Sequence, residues 1–385
     1  MEIVLNLFTL FRARSRIMND IDYLNRMEKV KEKMGETGID AFLVSPSSNL
    51  FYLTGYALGP DERLFLLVLP QNGAPFMIAN VLYKEQAKPL PVKDQVFYMD
   101  GEDYFSLLAS EIKKRNISLK KVALEPQIHA FFTLPLSQTF PGTNFVLGSS
   151  LTEGFRQIKD ESELDLIRKA CRESDRALAA IIDKGSYWIG KTESEFLMEL
   201  TVEINKGGVN NFGASVQAGP NAAIPHYTTG YSLIEKGKGL LCDFWGRYKG
   251  YSTDCTRTFH FGKPDPEFEK IYAIVLEAHL AAEAKAKPGN LLEDVDIAAR
   301  SVIEKHGYGE YFNHRVGHGL GIDTHDADSV NTGVKIPIKP GMVFTIEPGI
   351  YLPGRFGVRI ENTVAIGENG PEALHKYPRE LKVIE

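Results

Sequence analysis

Two hydrophobic patterns follow one another along the chain. Over the first 150 residues, an amphipathic helical segment at 20–35 precedes short apolar runs that Gly, Pro, Asn and Asp separate from one another. Such runs are typical of β-strands. They lie at 41–44, 64–69, 75–79, 95–99 and 121–124, with a polar helical segment at 104–114 among them. Alternating strands and helices predict a smaller α/β domain over residues 20–150.

From residue 151 to residue 385, long helices come in pairs and strands follow each pair. The first pair is predicted at 161–184 and from Thr192, where Thr192 and Glu195 match a capping box, to the residue before Gly207. Strands are predicted at 212–218, 239–244 and 251–259. The order then repeats, with helices at 264–286 and 291–306 and strands at 342–351 and 357–366. The repetition predicts an α+β domain with approximate internal two-fold symmetry.

Composition and charge narrow the function class. The 385 residues are 43% hydrophobic and 24% charged, which is typical of a globular protein and excludes a collagen-like or largely disordered chain. A net charge of −6 does not favour a nucleic acid or an anionic membrane as partner. Three scattered cysteines make no disulfide framework, so we expect a reducing compartment, the cytoplasm.

The first 19 residues look like a leader or a disordered extension. The stretch to Phe11 is mostly apolar, and Arg12, Arg14 and Arg16 follow it rather than precede it. A secretory signal has its positive charges before the apolar region, so this stretch does not match one. We expect a disposable leader, with Met18 as an alternative start.

Four acidic residues lie in strand-like apolar segments. Asp243, Asp254, Glu347 and Glu361 each interrupt such a run, and burying a lone carboxylate costs several kcal/mol. A structural salt bridge or a turn cap would explain any one of them; Arg359, two residues before Glu361, is such a partner by strand alternation. If the four strands lie side by side, however, four converging carboxylates need protons or metal ions.

A histidine between glycines adds a fifth candidate. His318 lies in a Gly-His-Gly-Leu-Gly segment, where glycines allow the backbone to approach an ion or a substrate closely. A phosphate-loop interpretation is weak because neither glycine-rich phosphate motif is completed. The chain has no GxSxG elbow, and alternation turns Cys242 and Cys255 away from the aspartates, which disfavours a serine or cysteine hydrolase.

The order of these five residues resembles the ligand signature of the pita-bread metallopeptidases, the group that includes prolidase, aminopeptidase P and methionine aminopeptidase. The segments 254–258, 318–321, 346–349 and 358–362 are similar to the family's own. Residues 27–56 resemble the creatinase-type amino-terminal domain of the Xaa-Pro branch. The resemblance therefore extends from about residue 20 to the end.

The resemblance implies a pair of divalent metal ions. Asp243 would bind one ion, His318 and Glu347 the other, and Asp254 and Glu361 would bridge them. One nitrogen among oxygen donors suits manganese, with cobalt or zinc as alternatives. A hydroxide shared by two such ions is the expected nucleophile, and Glu347 is the expected proton carrier to the departing nitrogen.

Four further residues match substrate-side positions of the Xaa-Pro enzymes. The resemblance implies that His226 and His325 are catalytic, with His325 stabilising the oxyanion. His314 and Arg359 are expected to contact substrate, unless Arg359 only steadies Glu361. The sequence departs from the family's usual motifs at Trp245 and in segment 323–326. Neither departure involves a candidate ligand, so they affect the expected substrate selectivity and leave the metal site unchanged.

The predicted function is hydrolysis of Xaa-Pro bonds in dipeptides or short peptides. Such a bond is a tertiary amide, on which peptidases that grip an N–H fail. The spacing of Glu347 and Glu361 favours a dipeptidase over an aminopeptidase, and the resemblance suggests a homodimer. The alternatives are a hydrolase of small amides or amidines, of the creatinase or ectoine-hydrolase kind, and a non-catalytic peptide-binding scaffold.

Overall fold

The computed structural model describes residues 21–326 and 328–385. The chain divides into two compact units, with the boundary between Phe155 and Arg156. The leader predicted over residues 1–19 lies outside the described residues. Within the described part, every helix is too short or too polar to cross a bilayer.

A six-stranded mixed sheet forms the first unit, in the order β4-β3-β2-β1-β5-β6. Strand β1 pairs antiparallel with β2 and parallel with β5, and all residues of β1, β2 and β3 are buried. The elements are α1 (Tyr23–Thr37), β1 (Ala41–Val44), α2 (Ser48–Thr54), β2 (Leu66–Pro70), β3 (Phe76–Asn80), α3 (Lys84–Ala87), β4 (Gln95–Tyr98), α4 (Tyr104–Lys114), β5 (Lys121–Leu124), α5 (Ala130–Thr139), β6 (Asn144–Leu147) and α6 (Ser149–Gln157).

The second unit contains two helix pairs, each followed by strands. Its elements are α7 (Glu161–Ile182), α8 (Glu193–Lys206), β7 (Val209–Ala218), β8 (Lys238–Tyr248), β9 (Tyr251–Phe261), α9 (Pro266–Lys285), α10 (Leu292–Lys305), β10 (Gly317–His318), β11 (Ser329–Val330), β12 (Val343–Ile346), β13 (Gly349–Leu352), β14 (Phe356–Arg359), β15 (Asn362–Gly367), β16 (Gly370–Ala373) and β17 (Lys382–Ile384). The Thr192–Glu195 capping box is formed at the start of α8.

Two apolar cores hold the second unit together. One joins α7 and α8 to the sheet β17-β9-β8-β7 through residues such as Leu178, Phe196 and Phe259. The other joins α9 and α10 to β12–β15 through residues such as Val275, Phe344 and Val358. Each helix pair thus covers the strands that follow it in the chain.

Two of the predicted strands are broken, and each break falls at a candidate ligand. The segment predicted at 342–351 forms β12 and β13, which Glu347 and Pro348 separate, because proline has no N–H to give to a ladder. The segment predicted at 357–366 forms β14 and β15, which Ile360 and Glu361 separate. The prediction of two continuous strands was therefore wrong at these two points.

Candidate metal centre

The two aspartates lie on one face of the long β8–β9 hairpin. Asp243 pairs with Thr256 across the hairpin, and Asp254 lies two residues before Thr256 on the same strand. Residues two apart on a strand share a face, so both carboxylates point to the same side. Cys242 and Cys255 point the other way, into the apolar core beneath the sheet. The aspartates are placed by the register of an unbroken pair of strands.

The two glutamates lie at the adjoining ends of β12 and β15. The last pair of that ladder is Ile346 with Asn362, so Glu347 and Glu361 are the next residues beyond it. The backbone N–H of Glu361 donates to the Thr256 carbonyl at 3.1 Å. The glutamate pair therefore meets the aspartate hairpin at the strand that carries Asp254.

Two hydrogen bonds hold His318, one from its backbone and one from its ring. Its backbone N–H donates to Thr345 Oγ1 at 3.0 Å, and its ring Nδ1 lies 3.1 Å from the Gly319 carbonyl oxygen. That carbonyl is an acceptor, so Nδ1 carries the proton and Nε2 keeps its lone pair. The Nε2 atom lies 3.3 Å from Glu347 Oε1 and 3.6 Å from Asp254 Oδ2.

Neighbouring backbone requires glycine on both sides of His318. A Cβ atom on Gly317 would overlap the Thr345 carbonyl oxygen, and one on Gly319 would overlap the Asp326 carbonyl oxygen. The two glycines therefore let the histidine segment pass between two other segments, and their expected role in the approach of an ion or a substrate stays a prediction.

All five candidate ligands converge. Ligand atoms of Asp254, His318 and Glu361 lie within 4.8 Å of one another, and Glu347 adjoins His318 as described. The Thr256 hydroxyl lies 3.2 Å from Asp243 Oδ1 and 2.7 Å from Glu361 Oε2, which joins the fifth residue to the group.

The electrostatics of the centre are those of a cation site. Burial and the Asp243 charge raise the pKa of Glu361 to about 7. Burial and the Glu361 charge raise the pKa of both Asp254 and Glu347 well above the usual range. Burial lowers the pKa of His318 to about 3, which keeps its ring neutral.

Among the five candidate ligands, Glu361 has a buried acceptor without a hydrogen-bond partner in the described part of the chain. The Oε1 atom of Glu361 is fully enclosed, and no described donor reaches it. An unpaired buried carboxylate oxygen is costly. Together with three crowded carboxylates and a neutral histidine, it fits a site for divalent cations, which bind deprotonated ligands and compensate their charge.

Arg359 pairs with Asp243 rather than with Glu361. Its Nη2 atom lies 2.8 Å from Asp243 Oδ2, and none of the ion pairs among the described residues joins it to Glu361. The alternation argument failed because β14 ends at Arg359 and the chain turns before Glu361. Arg359 is thus a buried countercharge for the aspartate side of the centre.

Tyr351, which the sequence did not single out, joins Arg359 to His314. Arg359 Nη1 donates to the tyrosine oxygen at 2.9 Å, and that oxygen lies 2.9 Å from His314 Nε2. His314 Nδ1 faces the Arg315 carbonyl at 2.7 Å, so Nε2 accepts from the tyrosine hydroxyl. Burial raises the pKa of Tyr351 to about 12 and lowers that of His314 to about 4, so both are neutral. No spacing in the sequence indicated Tyr351.

His226 and His325 lie near the centre without belonging to the ligand group. The rings of His325 and His318 have centroids 4.1 Å apart. Burial lowers the pKa of His325 and of His314, and in both cases the charge of His226 adds to the effect. These histidines are therefore within electrostatic range of one another, and His226 and His325 themselves are exposed.

A buried carboxylate organises the loop that carries His226. Glu193 is fully buried at the first position of α8 and accepts four hydrogen bonds of 2.7–3.0 Å. The donors are the backbone N–H groups of Ala218 and Gly230, the Asn221 amide and the Tyr227 hydroxyl. Glu193 thus fixes the loop on both sides of His226. The sequence did not indicate this role, because the donors lie 25 to 37 residues away from Glu193.

A buried guanidinium has the same role for the loop that carries His325. Arg156 Nη2 lies 2.7 Å from Asp323 Oδ2 and 2.8 Å from Asp326 Oδ1, so it binds a carboxylate on each side of the histidine. Arg247 adds a 3.1 Å bond to Asp323. The unusual aspartates of segment 323–326 are therefore used for loop attachment.

Family models match both units. Residues 165–368 match metallopeptidase family M24, and residues 26–158 match the creatinase/prolidase N-terminal domain. The first match covers more than half of the chain. The chain therefore belongs to metallopeptidase family M24 and has its pita-bread fold with a creatinase-type amino-terminal domain, as the resemblance implied.

Known dipeptidases and prolidases are among the proteins this metallopeptidase is similar to. It is 35% identical to the putative dipeptidase YkvY of Bacillus subtilis (strain 168), over 94% of this chain and 100% of that protein. A crystal structure of prolidase from Thermococcus sibiricus aligns with a TM-score of 0.90 at 37% identity, covering 94% of this chain and 100% of that one. A dipeptidase structure from Pyrococcus horikoshii OT3 aligns with a TM-score of 0.88 at 36% identity, covering 93% and 100%.

Proposed function

We propose that the protein is an Xaa-Pro dipeptidase that uses two divalent metal ions, with manganese as the native metal. The observation that carries this proposal is the convergence of Asp254, His318 and Glu361 within 4.8 Å, with Asp243 and Glu347 beside them. The names of the relatives, dipeptidase and prolidase, support the substrate class.

The proposed ligand roles follow the predicted set. Asp243 would hold one cation, His318 and Glu347 the other, and Asp254 and Glu361 both. When bound, the cations would supply Lewis acidity to the scissile carbonyl and acidify a water molecule. Arg359 would hold the Asp243 carboxylate through their ion pair, and the His318 Nδ1–H bond to Gly319 would keep Nε2 directed at the ligand group.

The remaining steps belong to side chains of the chain itself. Glu347, whose pKa burial raises, would take the proton from the nucleophilic water on a carboxylate oxygen and pass it to the departing proline nitrogen. His325 would donate a hydrogen bond to the developing oxyanion, and His226 would contact the substrate from the opposite loop. Neither role requires an N–H in the scissile bond, which suits proline.

The test compares peptides and metals in one assay. Protein stripped of metal is incubated with manganese, cobalt or zinc, and the turnover of Leu-Pro, Leu-Pro-Gly and Leu-Leu is measured. We expect activity only after a divalent ion is added, greatest with manganese and on Leu-Pro. Faster cleavage of Leu-Pro-Gly would replace the dipeptidase by an aminopeptidase, and no cleavage with any ion would favour a peptide-binding scaffold.

A cytoplasmic location and a homodimer are also proposed. Cys171, Cys242 and Cys255 are buried free thiols, which suits a reducing compartment. The homodimer rests on the family resemblance, and sedimentation equilibrium of the full chain tests it: the mass should be twice 43.0 kDa.

A further inference from the structure

Trp245 lies on the face of the β8–β9 hairpin that carries the two aspartates. It pairs directly with Asp254 across the hairpin and comes two residues after Asp243 on β8, so its ring lies on the same side as both carboxylates. Among the described residues, neither apolar core of the second unit includes it, and its side chain is half-buried. It is therefore an aromatic surface beside the ligand group and outside the core.

Gly213 allows the indole to lie across the neighbouring strand. The two residues are directly opposite in the β7–β8 ladder. A Cβ atom on Gly213 would come within 2.6 Å of Trp245 Cε2 and Cζ2, which is closer than packed carbon atoms approach. The indole Nε1 has no acceptor in the described part of the chain, yet it is not among the enclosed polar atoms. The ring therefore rests on Gly213 and stays open to a ligand.

The loops that carry the two proposed catalytic histidines are attached on either side of Trp245. A threonine of the His226 loop donates to the carbonyl of Ala214, the residue after the glycine, at 3.3 Å. Arg247, two residues after Trp245 on β8, donates to an aspartate of the His325 loop at 3.1 Å. The indole thus lies on the strip of sheet between the two histidine loops, where we expect the substrate.

We propose that Trp245 forms an apolar wall of the substrate pocket and selects dipeptides with a large apolar residue before proline. The inference rests on the proposed peptidase function and deepens it, because it names the preferred substrates. The proline ring is the same in every Xaa-Pro substrate, so selection among them acts on the side chain that precedes it. Large apolar side chains bury the most area against an indole. We therefore expect Phe-Pro and Leu-Pro to be preferred over Ala-Pro.

The experiment compares substrates that differ in one apolar group. The manganese-loaded full chain is assayed on Phe-Pro against Ala-Pro, and on Leu-Pro against the analogue whose imino-acid ring is one methylene smaller. The variants are Trp245→Ala, Trp245→Phe, Gly213→Ala and, as the control, Tyr187→Ala. Tyr187 is an exposed aromatic residue that stacks on Trp188 in the core beneath the sheet, so its loss leaves the groove unchanged.

We expect Trp245→Ala to lower the ratio of kcat/KM for Phe-Pro to that for Ala-Pro about 10-fold, because the apolar contact is lost. Trp245→Phe should keep most of the ratio, and Tyr187→Ala should keep all of it. Gly213→Ala should lower the ratio as well, since the new Cβ atom displaces the ring, and should add nothing in the double variant with Trp245→Ala. A wild-type ratio in Trp245→Ala would overturn the proposal. A change confined to the pair that differs in ring size would also overturn it, because it would assign Trp245 to proline.

Fluorescence separates this inference from the proposed function. The chain has two tryptophans. Trp188 is fully buried and its N–H donates to the Ile181 carbonyl, so a ligand in the groove changes the emission of Trp245. The manganese-loaded full chain is titrated with the analogue of Phe-Pro in which a methylene replaces the scissile carbonyl, and calorimetry follows binding independently. We expect an emission change that Trp245→Phe abolishes while the analogue still binds.

This measurement uses the wild-type chain and so does not depend on how the variants fold. If the emission change appears but no peptide is cleaved, the peptidase function fails and the Trp245 pocket stands. Binding without the emission change, or no binding, would reject the pocket even if Leu-Pro is cleaved.

Discussion

The aspartate and glutamate sides of the metal centre are built differently. Asp243 and Asp254 lie within the uninterrupted β8–β9 hairpin, and the ladder register alone sets their spacing and direction. Glu347 and Glu361 lie where strands stop, and their backbone hydrogen bonds go to Val316 and Thr256 instead of ladder partners. Short side chains thus sit on regular backbone, and longer ones on irregular backbone.

The difference shows what each side depends on. The aspartate side needs correct pairing of two long strands, which many backbone hydrogen bonds enforce. The glutamate side depends on a few specific attachments, above all Arg257. This fully buried guanidinium donates to the carbonyls of Glu361, Tyr377 and Pro378 and to the Asn362 side chain. Perturbations that distinguish the two sides therefore test this account of the centre.

The largest effect is expected where the two sides meet. Asp254→Asn and Glu361→Gln each remove a carboxylate that we propose to bridge the two cations, one from each side, and both should abolish turnover and metal binding while the chain stays folded. Metal content by mass spectrometry and Leu-Pro hydrolysis check this. Full activity in either variant would contradict the bridging role.

Matched surface substitutions control for the change of charge. Asp183→Asn alters an exposed residue that pairs with Lys382, and Glu267→Gln alters a partly exposed one that pairs with Arg355. Exposed ion pairs contribute little to stability, so both variants should keep metal and activity.

The next largest effect on activity is expected at the two proposed catalytic histidines, which belong to neither the aspartate side nor the glutamate side. His226→Ala and His325→Ala should keep the metal content of the wild type and lose about 100-fold or more in kcat, because a transition-state hydrogen bond is removed. Metal analysis and steady-state kinetics on Leu-Pro check this. Loss of metal in either variant would mean that the ligand set is misassigned.

Arg257→Lys should loosen the attachment of Glu361 and leave the aspartate hairpin unchanged. Lysine cannot donate hydrogen bonds to all the acceptors that Arg257 contacts, so we expect the free energy of unfolding to fall by about 3 kcal/mol. Manganese affinity should fall as well, because Glu361 loses its attachment. Denaturant unfolding and metal titration measure the two effects, with the exposed Arg355→Lys as control. Unchanged metal affinity would show that Glu361 is held by other contacts.

The smallest effect concerns pH. Burial and the charges of neighbouring carboxylates raise the pKa of Glu361 to about 7 and that of Asp254 and Glu347 well above normal, so the folded metal-free chain binds more protons than the unfolded one. Its stability should fall as pH rises from the pKa of an unfolded carboxyl, about 4, to these raised values. His318, with its pKa near 3, opposes this only below about pH 6.5, where an unfolded histidine takes up a proton.

The measurement is thermal unfolding of metal-free protein between about pH 6.5 and about pH 8.5. We expect the melting temperature to decrease across this range, and bound manganese to remove most of the decrease because the cations compensate the ionised carboxylates. The same decrease with and without manganese would mean that other groups cause it.

Regular elements were predictable where local pattern and tertiary context agree. The apolar run 41–44, the helix 104–114 and the run 121–124 coincide with β1, α4 and β5. Helix α5 was missed because it contains Pro135, which argues against a helix when only the sequence is known. The break after β12 was missed although Pro348 marks it in the sequence. The break at Ile360 and Glu361 was missed because no proline or glycine marks it and only contacts with distant segments reveal it.

The five candidate ligands stand out in the sequence because their order and the short motifs around them resemble those of the family. The structure brings the five side chains together, and their roles as ligands stay a prediction. The residues that hold them in place were not predictable. Arg156 and Asp326 are separated by 170 positions, and nothing in their local sequence indicates contact. Arg359 was given the wrong partner, since strand alternation stops being valid one residue after it.

Two glycines beside His318 limit which residues of this segment can be substituted. A Cβ atom on Gly317 would meet the Thr345 carbonyl oxygen and one on Gly319 the Asp326 carbonyl oxygen, so neither position admits a side chain. Thr324, further along the same loop, is partly exposed and has no such constraint. An engineer seeking new peptide selectivity therefore has freedom at Thr324, so long as the proposed catalytic His325 and the two aspartates that Arg156 holds are kept. The same freedom would let natural selection diversify substrates without rebuilding the hydrolytic machinery.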